Sequence, residues 1–353
     1  MSSSSLAPPA DLSSTISLDV MDRATPEVSH FFENILWGTD GAMYRLCDYE
    51  ASLGHVPGAR FLGLRKQGKL VALRILLKKR ISWKSESLQA FYHGLLCVDP
   101  REQNQGYGKA LVERTLDYIE QRSEPRTIIY SFIEAGNHRS KRIAESLGYK
   151  RLGTFFATWF SRLHPKKSIR ISPLSARDIP ELLNRLDHQY QDHALTDFST
   201  SVQQDSYRVL RDNTRMIAGL QADPQRWVFE SLGGTGGFVA VKVLPHIPVL
   251  GNLFNPQNFR FLKVGNVFFS PGHADAASEL LEATLAGSAL KVAVLFIDKN
   301  SSAYKEWLSK SKLGLLNSLA EVEVHVMARF HGFSTEEITD FANRPLAISP
   351  IDL

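Results

Sequence analysis

The residues best suited to chemistry in this 353-residue chain form one run, Leu96-Cys97-Val98-Asp99-Pro100-Arg101-Glu102-Gln103-Asn104-Gln105-Gly106-Tyr107-Gly108-Lys109. A strand pattern stops at Asp99-Pro100, and a helix pattern begins near Tyr107 with glycines inside the turn. Glycine permits positive φ and lets bare amides approach a ligand, while a helix amino end adds oriented N–H groups and a partial positive charge. A grip on phosphate or pyrophosphate requires these features. The spacing is neither the G-x-G-x-x-G of a dinucleotide fold nor a nucleoside-triphosphate loop ending in Lys-Ser/Thr, so both of those cradles are disfavoured. Glycines also occur in tight strand-to-helix turns for purely structural reasons, and the turn alone does not decide between the readings.

Positioning such a turn requires strands before it and a helix after it. Met1 to about Thr15 is a Ser-, Ala- and Pro-rich tail with little to bury, expected to stay disordered. A strand pattern starts at Ile16, followed by an amphipathic stretch from Pro26 to Trp37 and an irregular passage from Gly38 to Gly58. Strands are expected over Arg60–Arg65 and Lys69–Arg80, joined by a Lys66-Gln67-Gly68 turn, and over Leu88–Val98. A helix follows from Tyr107 to Arg122, with Leu111, Thr115, Tyr118 and Ile119 on one face. Strand Arg126–Ile133, helix Asn137–Ser146 and a hairpin over Tyr149–Leu163 close the first half.

After the polar His164-Pro165-Lys166-Lys167 the order of elements starts again. It reads as strand Ile169–Ser172, helix Asp178–Tyr190, a hairpin over Trp227–Val243 turning at Gly233–Gly237, and strand Val264–Ser270. Helix Asp275–Ala286, strand Val292–Asp298, helix Ala303–Lys310 and strand Val322–Phe330 complete it. Helices among mostly antiparallel strands, repeated once at this length, predict an α+β pair of duplicated domains. The expected division is a tail at 1–15, a domain at 16–164, a linker at 165–168 and a second domain at 169–353.

Composition narrows the function. Lys plus Arg is 41 against 37 Asp plus Glu, a net charge of +4, too little for a dedicated nucleic-acid binder but compatible with a local anion site. Cys47 and Cys97 are the only cysteines, so no disulfide framework and no thiolate zinc site is expected, and a reducing compartment fits best. No apolar run approaches the roughly 20 residues of a membrane helix, and the amino terminus lacks a signal peptide's pattern. A cytoplasmic protein without metal, membrane or nucleic acid is expected.

Gln103-x-x-Gly106-x-Gly108 after Val98-x-Pro100 resembles the acyl-CoA pyrophosphate motif of the GNAT superfamily of N-acyltransferases. The order of elements from Ile16 to Leu163 is similar to that fold throughout, and Asn137-His138-Arg139-Ser140-Lys141-Arg142-Ile143-Ala144-Glu145-Ser146-Leu147-Gly148-Tyr149 resembles the family's Asn-led helix ending in Gly-aromatic. The resemblance implies that amides of Gln103, Asn104, Gln105, Gly106, Tyr107 and Gly108, with Lys109, hold the pyrophosphate of acetyl-CoA. It implies that the backbone of Leu96, Cys97 and Val98 pairs with the pantetheine arm, that Asn137 hydrogen-bonds that arm and that Ser140 lies near it. Asn137 and Ser140 are equally suited to capping a helix. A strand bulge would aim the Leu96 amide at the thioester oxygen.

Departures from the family pattern matter. The tyrosine that protonates the leaving thiolate in many members is replaced by Ala144, and the usual base positions hold Tyr92 and Gly94, with His93 directed to the opposite face by alternation. A CoA thiol of pKa roughly 8.5 still leaves acceptably, and an amine can lose its proton through water. Tyr92 is the leading candidate on the reacting face and Glu134 the next; packing and a solvated strand end are their structural alternatives. Cys97 falls on the wrong face for a nucleophile. Acceptor recognition is expected from Asp40, Tyr44, Asp48, Tyr49 and Glu50, unless that passage is an ordinary solvated loop. Lys78-Lys79-Arg80 and the His138–Arg142 cluster are expected to be solvated, with Arg139 or Lys141 able to meet an outer phosphate.

The second half reads Phe268-Phe269-Ser270-Pro271-Gly272-His273-Ala274-Asp275 where a phosphate turn should recur. No Gln-x-x-Gly-x-Gly is present, and Asp275 is expected to cap the helix and repel a phosphate. Asn300 with Ala303 keeps a trace of the second signature. The expectation is therefore two tandem GNAT-like domains, each a mostly antiparallel mixed sheet flanked by helices, the second without a cofactor site. The first would transfer acetyl from acetyl-CoA to a primary amine in a ternary complex, with Pro345–Leu353 walling the acceptor cleft. The alternatives are a longer acyl donor and a non-catalytic CoA-binding sensor or scaffold. A homodimer is among the assemblies allowed.

Overall fold

Long apolar and β-branched runs such as Lys69–Trp83 build one 13-stranded sheet in the computed structural model. It describes residues 16–352 apart from 40–41, 48–55, 57, 85, 234–236 and 319–320. The first half of the chain supplies β1 (Ile16–Met21), β2 (Met43–Leu46), β3 (Ala59–Lys66), β4 (Lys69–Trp83), β5 (Glu86–Val98), β6 (Thr127–Glu134) and β7 (Lys150–Ser161). The second supplies β8 (Ile171–Pro173), β9 (Tyr207–Asp212), β10 (Arg215–Ser231), β11 (Phe259–Phe269), β12 (Val292–Ile297) and β13 (Val322–His331). The helices are α1 (Pro26–Glu33), α2 (Tyr107–Glu120), α3 (His138–Ser146), α4 (Ile179–Gln189), α5 (Phe198–Ser201), α6 (Gly237–Val243), α7 (Pro248–Leu253), α8 (Ala274–Gly287), α9 (Ser302–Lys310) and α10 (Thr335–Ala342).

The strand order is β1-β3-β4-β5-β6-β13-β7-β12-β11-β10-β9-β8, with β2 paired to β10. From either end the series is the same: antiparallel strands, then one parallel pair, β5 with β6 and β11 with β12. This is the expected α+β architecture of two tandem GNAT-like halves. At the centre the halves exchange their last strands: β13 pairs with β6 through Val324↔Glu134 to His331↔Thr127, and β7 pairs with β12 and β13. The hairpin expected over Tyr149–Leu163 is therefore a single strand, because its apolar alternation is satisfied by partners from the other half. The hairpin expected around Gly233–Gly237 is likewise β10 followed by α6; residues 234–236 of that turn lie outside the described residues.

Alternation along the first-half strands sorts the core by face. Leu62, Ala72 and Phe91 pack beneath the buried stripe of α2, which includes Leu111, Val112 and Ile119. Phe61, Leu73 and Tyr92 pack on the opposite face with Val28 and Phe32 of α1. The sheet is thus covered on both faces where β5 runs, which leaves ligand entry to the gap between strands and helices. Among the described residues, no helix is long and apolar enough to cross a membrane.

Candidate acyl-CoA site

The turn after β5 is built as the glycines require. The Asp99 amide donates to Val71 O at 2.9 Å, and the Asp99 carboxylate accepts the Arg101 amide at 3.0 Å, which with Lys69 holds that carboxyl below its ordinary range. Asn104 and Gly106 then take φ of 64° and 87°, the left-handed region in which glycine is unstrained. The first bond of α2 runs from the Ala110 amide to Gly106 O at 3.0 Å, and no side chain caps the helix start. The amides of Tyr107, Gly108 and Lys109 thus precede any intrahelical acceptor, at the positive end of a 14-residue helix. Gln103, Asn104, Gln105 and Lys109 are exposed, whereas the Tyr107 ring is buried and leaves only its backbone to a ligand. A Cβ on Gly108 would lie between Val98 Cγ2 at 3.6 Å and Ile143 Cδ1 at 3.9 Å, so this glycine lines the mouth between β5 and α3.

Beyond the mouth, β5 is bulged and loses a neighbour. Its register with β4 slips between Leu73↔Cys97 and Ile75↔Gly94, and Leu95 takes φ of 50°. Its parallel pairing with β6 covers only Gln89–Tyr92, against Thr127–Tyr130. Because Asp99 bonds back to β4, alternation directs the Val98 N–H and Leu96 C=O away from β4 toward the gap, where no strand of the described residues meets them. An extended amide-bearing chain could add there as a strand. Across the gap Asn137 caps α3 by accepting the Ser140 amide at 3.0 Å, which leaves its NH2 group to donate.

The candidate reacting groups have different surroundings. Tyr92 is buried with its ring centroid 5.4 Å from Tyr130 and 5.1 Å from Phe132, and burial pushes its hydroxyl far above the usual phenol range. That hydroxyl lies over Gly94, where any Cβ would clash at 2.3 Å. Glu134 ends β6 and accepts Thr39 Oγ1 at 3.1 Å. It stands four residues past the level of Tyr130, about 13 Å along the strand, so the structure does not bring Glu134 and Tyr92 together. Cys97 is buried with its thiol donating to Leu73 O at 3.4 Å, and burial pushes it up. His93 faces away from Tyr92, as alternation predicts, and meets Tyr149.

Tyr44 is brought to the second half, where its ring stacks on Trp227 at 4.3 Å and β2 joins β10; Asp40, Asp48, Tyr49 and Glu50 lie outside the described residues. Lys79 corrects the expectation of a solvated basic run. Its ammonium is buried between Asp352, at 2.8 Å, and Asp197, at 3.3 Å, while Tyr130 donates to Asp352 at 2.8 Å. These partners lie 118 and 273 positions from Lys79 in the chain, beyond the reach of motif reading. An available signal was that Arg74 interrupts the apolar run Leu70–Leu77.

The second half repeats the bulge and fills the gap. Register slips between Gly219↔Phe268 and Gln221↔Gly265, with Asn266 at φ of 47°, so Val267 and Phe269 occupy the places of Leu96 and Val98. There the Gln189 carboxamide donates to Val267 O and accepts the Phe269 amide, both at 3.0 Å, and the Tyr190 hydroxyl donates to Val267 O at 2.8 Å. Asp275 is not the expected cap: His273 holds that position without a side-chain bond, and Asp275 sits in the first turn of α8, where its charge still disfavours an anion.

Residues 29–149 match the Acetyltransferase (GNAT) family, the stretch that contains the turn, the bulge and α3. No curated protein sequence matches the chain. Among solved structures, Saccharomyces cerevisiae N-myristoyltransferase with bound myristoyl-CoA is similar in fold at 10% identity and TM-score 0.63, over 97% of this chain and 90% of that one. The same yeast enzyme with myristoyl-CoA and inhibitors aligns at 11% identity and TM-score 0.61, over 97% and 88%. The amide-lined turn and the bulged, splayed strand pair thus lie within the stretch that matches the GNAT acetyltransferase family, and the fold of the whole chain is similar to that of the yeast enzyme.

Proposed function

We propose that the first half transfers acetyl from acetyl-CoA to a primary amine by direct attack in a ternary complex. The observation that carries this reading is the open edge of β5, continuous from the free amides at Tyr107–Lys109 to the bulge at Leu95. The diphosphate is held by the turn amides from Gln103 to Gly108 with Lys109, and the pantetheine arm pairs with Leu96–Val98 and receives the Asn137 NH2, close to Ser140. Arg139 or Lys141 reaches the outer phosphate. The Leu96 amide, next to the left-handed Leu95, polarises the thioester carbonyl. Tyr92 or water relays the proton that the amine gives up, and Glu134 with Thr39 borders the acceptor side. The division at 16–164 and 169–353, with a cytoplasmic setting, completes the reading.

Binding of CoA followed by calorimetry, and release of free thiol in the presence of polyamines, amino sugars and lysine-bearing peptides, tests it. Thiol release that requires both acetyl-CoA and an amine is expected, and binding without release supports a CoA sensor instead. The yeast enzyme's myristoyl-CoA favours a second reading, a longer acyl donor. Faster turnover of long-chain than of acetyl donors would establish it.

A further inference from the structure

Accessibility along β5 falls off at one place. Val98, Leu96 and Leu95 are half-buried, whereas Gly94 and Tyr92 are buried, so the open edge that begins beneath Gly108 ends at Gly94. What covers Gly94 is the Tyr92 side chain, folded back along its own strand. A Cβ on Gly94 would clash with the Tyr92 hydroxyl and, at 2.7 Å, with the ring carbon that bears it, so the glycine is the socket in which the phenol sits. The ring is clamped as well. Its centroid lies 5.4 Å from Tyr130 and 5.1 Å from Phe132, and Tyr130 is fixed in turn by its bond to Asp352, which Lys79 holds at 2.8 Å. Tyr92 and Tyr130 also form the last pair of the parallel β5–β6 ladder, so the gap between these strands closes at the level of the ring.

The second half closes the same place with a different group. Its register slip puts Gly265 where Gly94 stands and Lys263 where Tyr92 stands, and a Cβ on Gly265 would clash with Pro350 at 2.8 Å. The glycine beside the bulge thus recurs with a cover in each half, from the carboxy-terminal turn in the second and from the strand's own ring in the first. A buried glycine leaves a hole that close packing must fill, and the fold accepts either filler. In the first half the filler stands at the end of the edge on which the proposed reading lays the pantetheine arm.

We propose that Tyr92 is a specificity-determining residue, the end wall of the acyl pocket, and that it confines the donor to short acyl groups such as acetyl; this rests on the acetyl-transfer reading. With the pantetheine arm running along Val98 and Leu96, the thioester reaches the bulge and the acyl chain points on toward Gly94. Gly94 lies two residues beyond Leu96, about 7 Å at the rise of a strand and less across a bulge. A methyl group fits within that length. An octanoyl chain does not, and it meets a ring that cannot swing aside without displacing Tyr130 or Phe132. Methylenes forced against a packed wall cost binding, and even one that does not fit is worth about 10-fold or more in discrimination.

Thiol release by the full chain is measured with acetyl-, butyryl- and octanoyl-CoA and the amines named above, and binding of CoA and of octanoyl-CoA is measured by calorimetry without amine. The wild type is expected to use octanoyl-CoA about 100-fold less efficiently than acetyl-CoA in kcat/KM, and to bind it about 10-fold more weakly than CoA. Tyr92→Ala removes the wall, and Tyr92→Leu keeps an apolar side chain against Tyr130 and Phe132 but ends short of Gly94. Each is expected to raise the octanoyl-to-acetyl ratio, by about 10-fold or more, whatever becomes of the absolute rates. Loss of a proton relay at Tyr92 would lower every donor alike and leave that ratio unmoved. A wild type that turns over octanoyl-CoA within threefold of acetyl-CoA, or a folded Tyr92→Leu protein with an unchanged ratio, overturns the proposal while acetyl transfer stands. A wild type that discriminates against octanoyl-CoA in binding but releases no thiol from any donor overturns the acetyl-transfer reading and leaves the wall in place.

Discussion

At Leu96 and Val98 the edge of β5 faces the mouth beneath Gly108, whereas at Val267 and Phe269 the same edge of β11 is closed by a side-chain amide and a tyrosine hydroxyl. Backbone groups away from water demand partners, and Gln189 supplies within the chain what a pantetheine amide would supply from outside. The two edges therefore differ in more than the glycine motif. The bulge survives at Asn266, and the vacated edge is satisfied by a carboxamide of matching geometry. In the first half no strand of the described residues meets those groups, and on the proposed reading the coenzyme offsets that local cost when it binds.

Substitutions at three places in the two halves probe that contrast. The largest effect is expected at Gly106, whose φ of 87° and bare amide environment a branched side chain would spoil. Gly106→Val should weaken CoA binding by about 100-fold, or roughly 2.7 kcal/mol, in calorimetry. Gly272→Val, at the φ of 79° in the second-half turn, should leave CoA affinity within twofold. Equal losses from both would erase the asymmetry.

An intermediate effect is expected at Gln189. Replacing it with alanine leaves the Phe269 amide unpaired and Val267 O with Tyr190 alone, which should cost about 1–3 kcal/mol and lower the melting temperature by a few degrees. The number of CoA molecules bound should stay at one per chain, because Asp275 still opposes a phosphate at α8. A Gln189→Ala protein as stable as wild type would show that the amide closes nothing.

The smallest effect concerns the turn that joins the halves. Pro350 lies against Gly265, where an added Cβ would clash at 2.8 Å, while Asp352 two residues on reaches Lys79 and Tyr130 of the first half. Burial raises the Asp352 carboxyl despite Lys79. The folded chain thus holds that proton more tightly than the unfolded chain does. The resulting stabilisation is complete below the ordinary carboxyl value and is lost as pH rises through the raised one. Asp352→Asn should therefore gain on wild type between pH 4 and pH 7 in urea midpoints, and a difference that does not change with pH would contradict this.

Much of the first half was legible in sequence because its signals are local. The turn at Gly106 needs glycine, Asn137 precedes its helix as caps do, and the bulge beside Leu96 follows from the resemblance that the turn established. The strand exchange was not legible, since a period of two says which face a residue takes and not which strand lies beside it. Val324 and Glu134 pair across 190 positions for reasons that no window contains. Lys79 looked like part of a solvated run because Asp197 and Asp352 are supplied by the second half. Gln189, ordinary in its helix, acquires a role only when β11 is laid against it.

Crystals of the full chain grown with CoA test the central asymmetry most directly. The account predicts diphosphate density against the amides of Tyr107–Lys109 and the pantetheine arm along Leu96–Val98, with Gln189 still bonded to Val267 and Phe269. Coenzyme seated on Val267–Phe269 with Gln189 displaced, or a Leu96–Val98 edge that stays empty at saturating CoA, would contradict it.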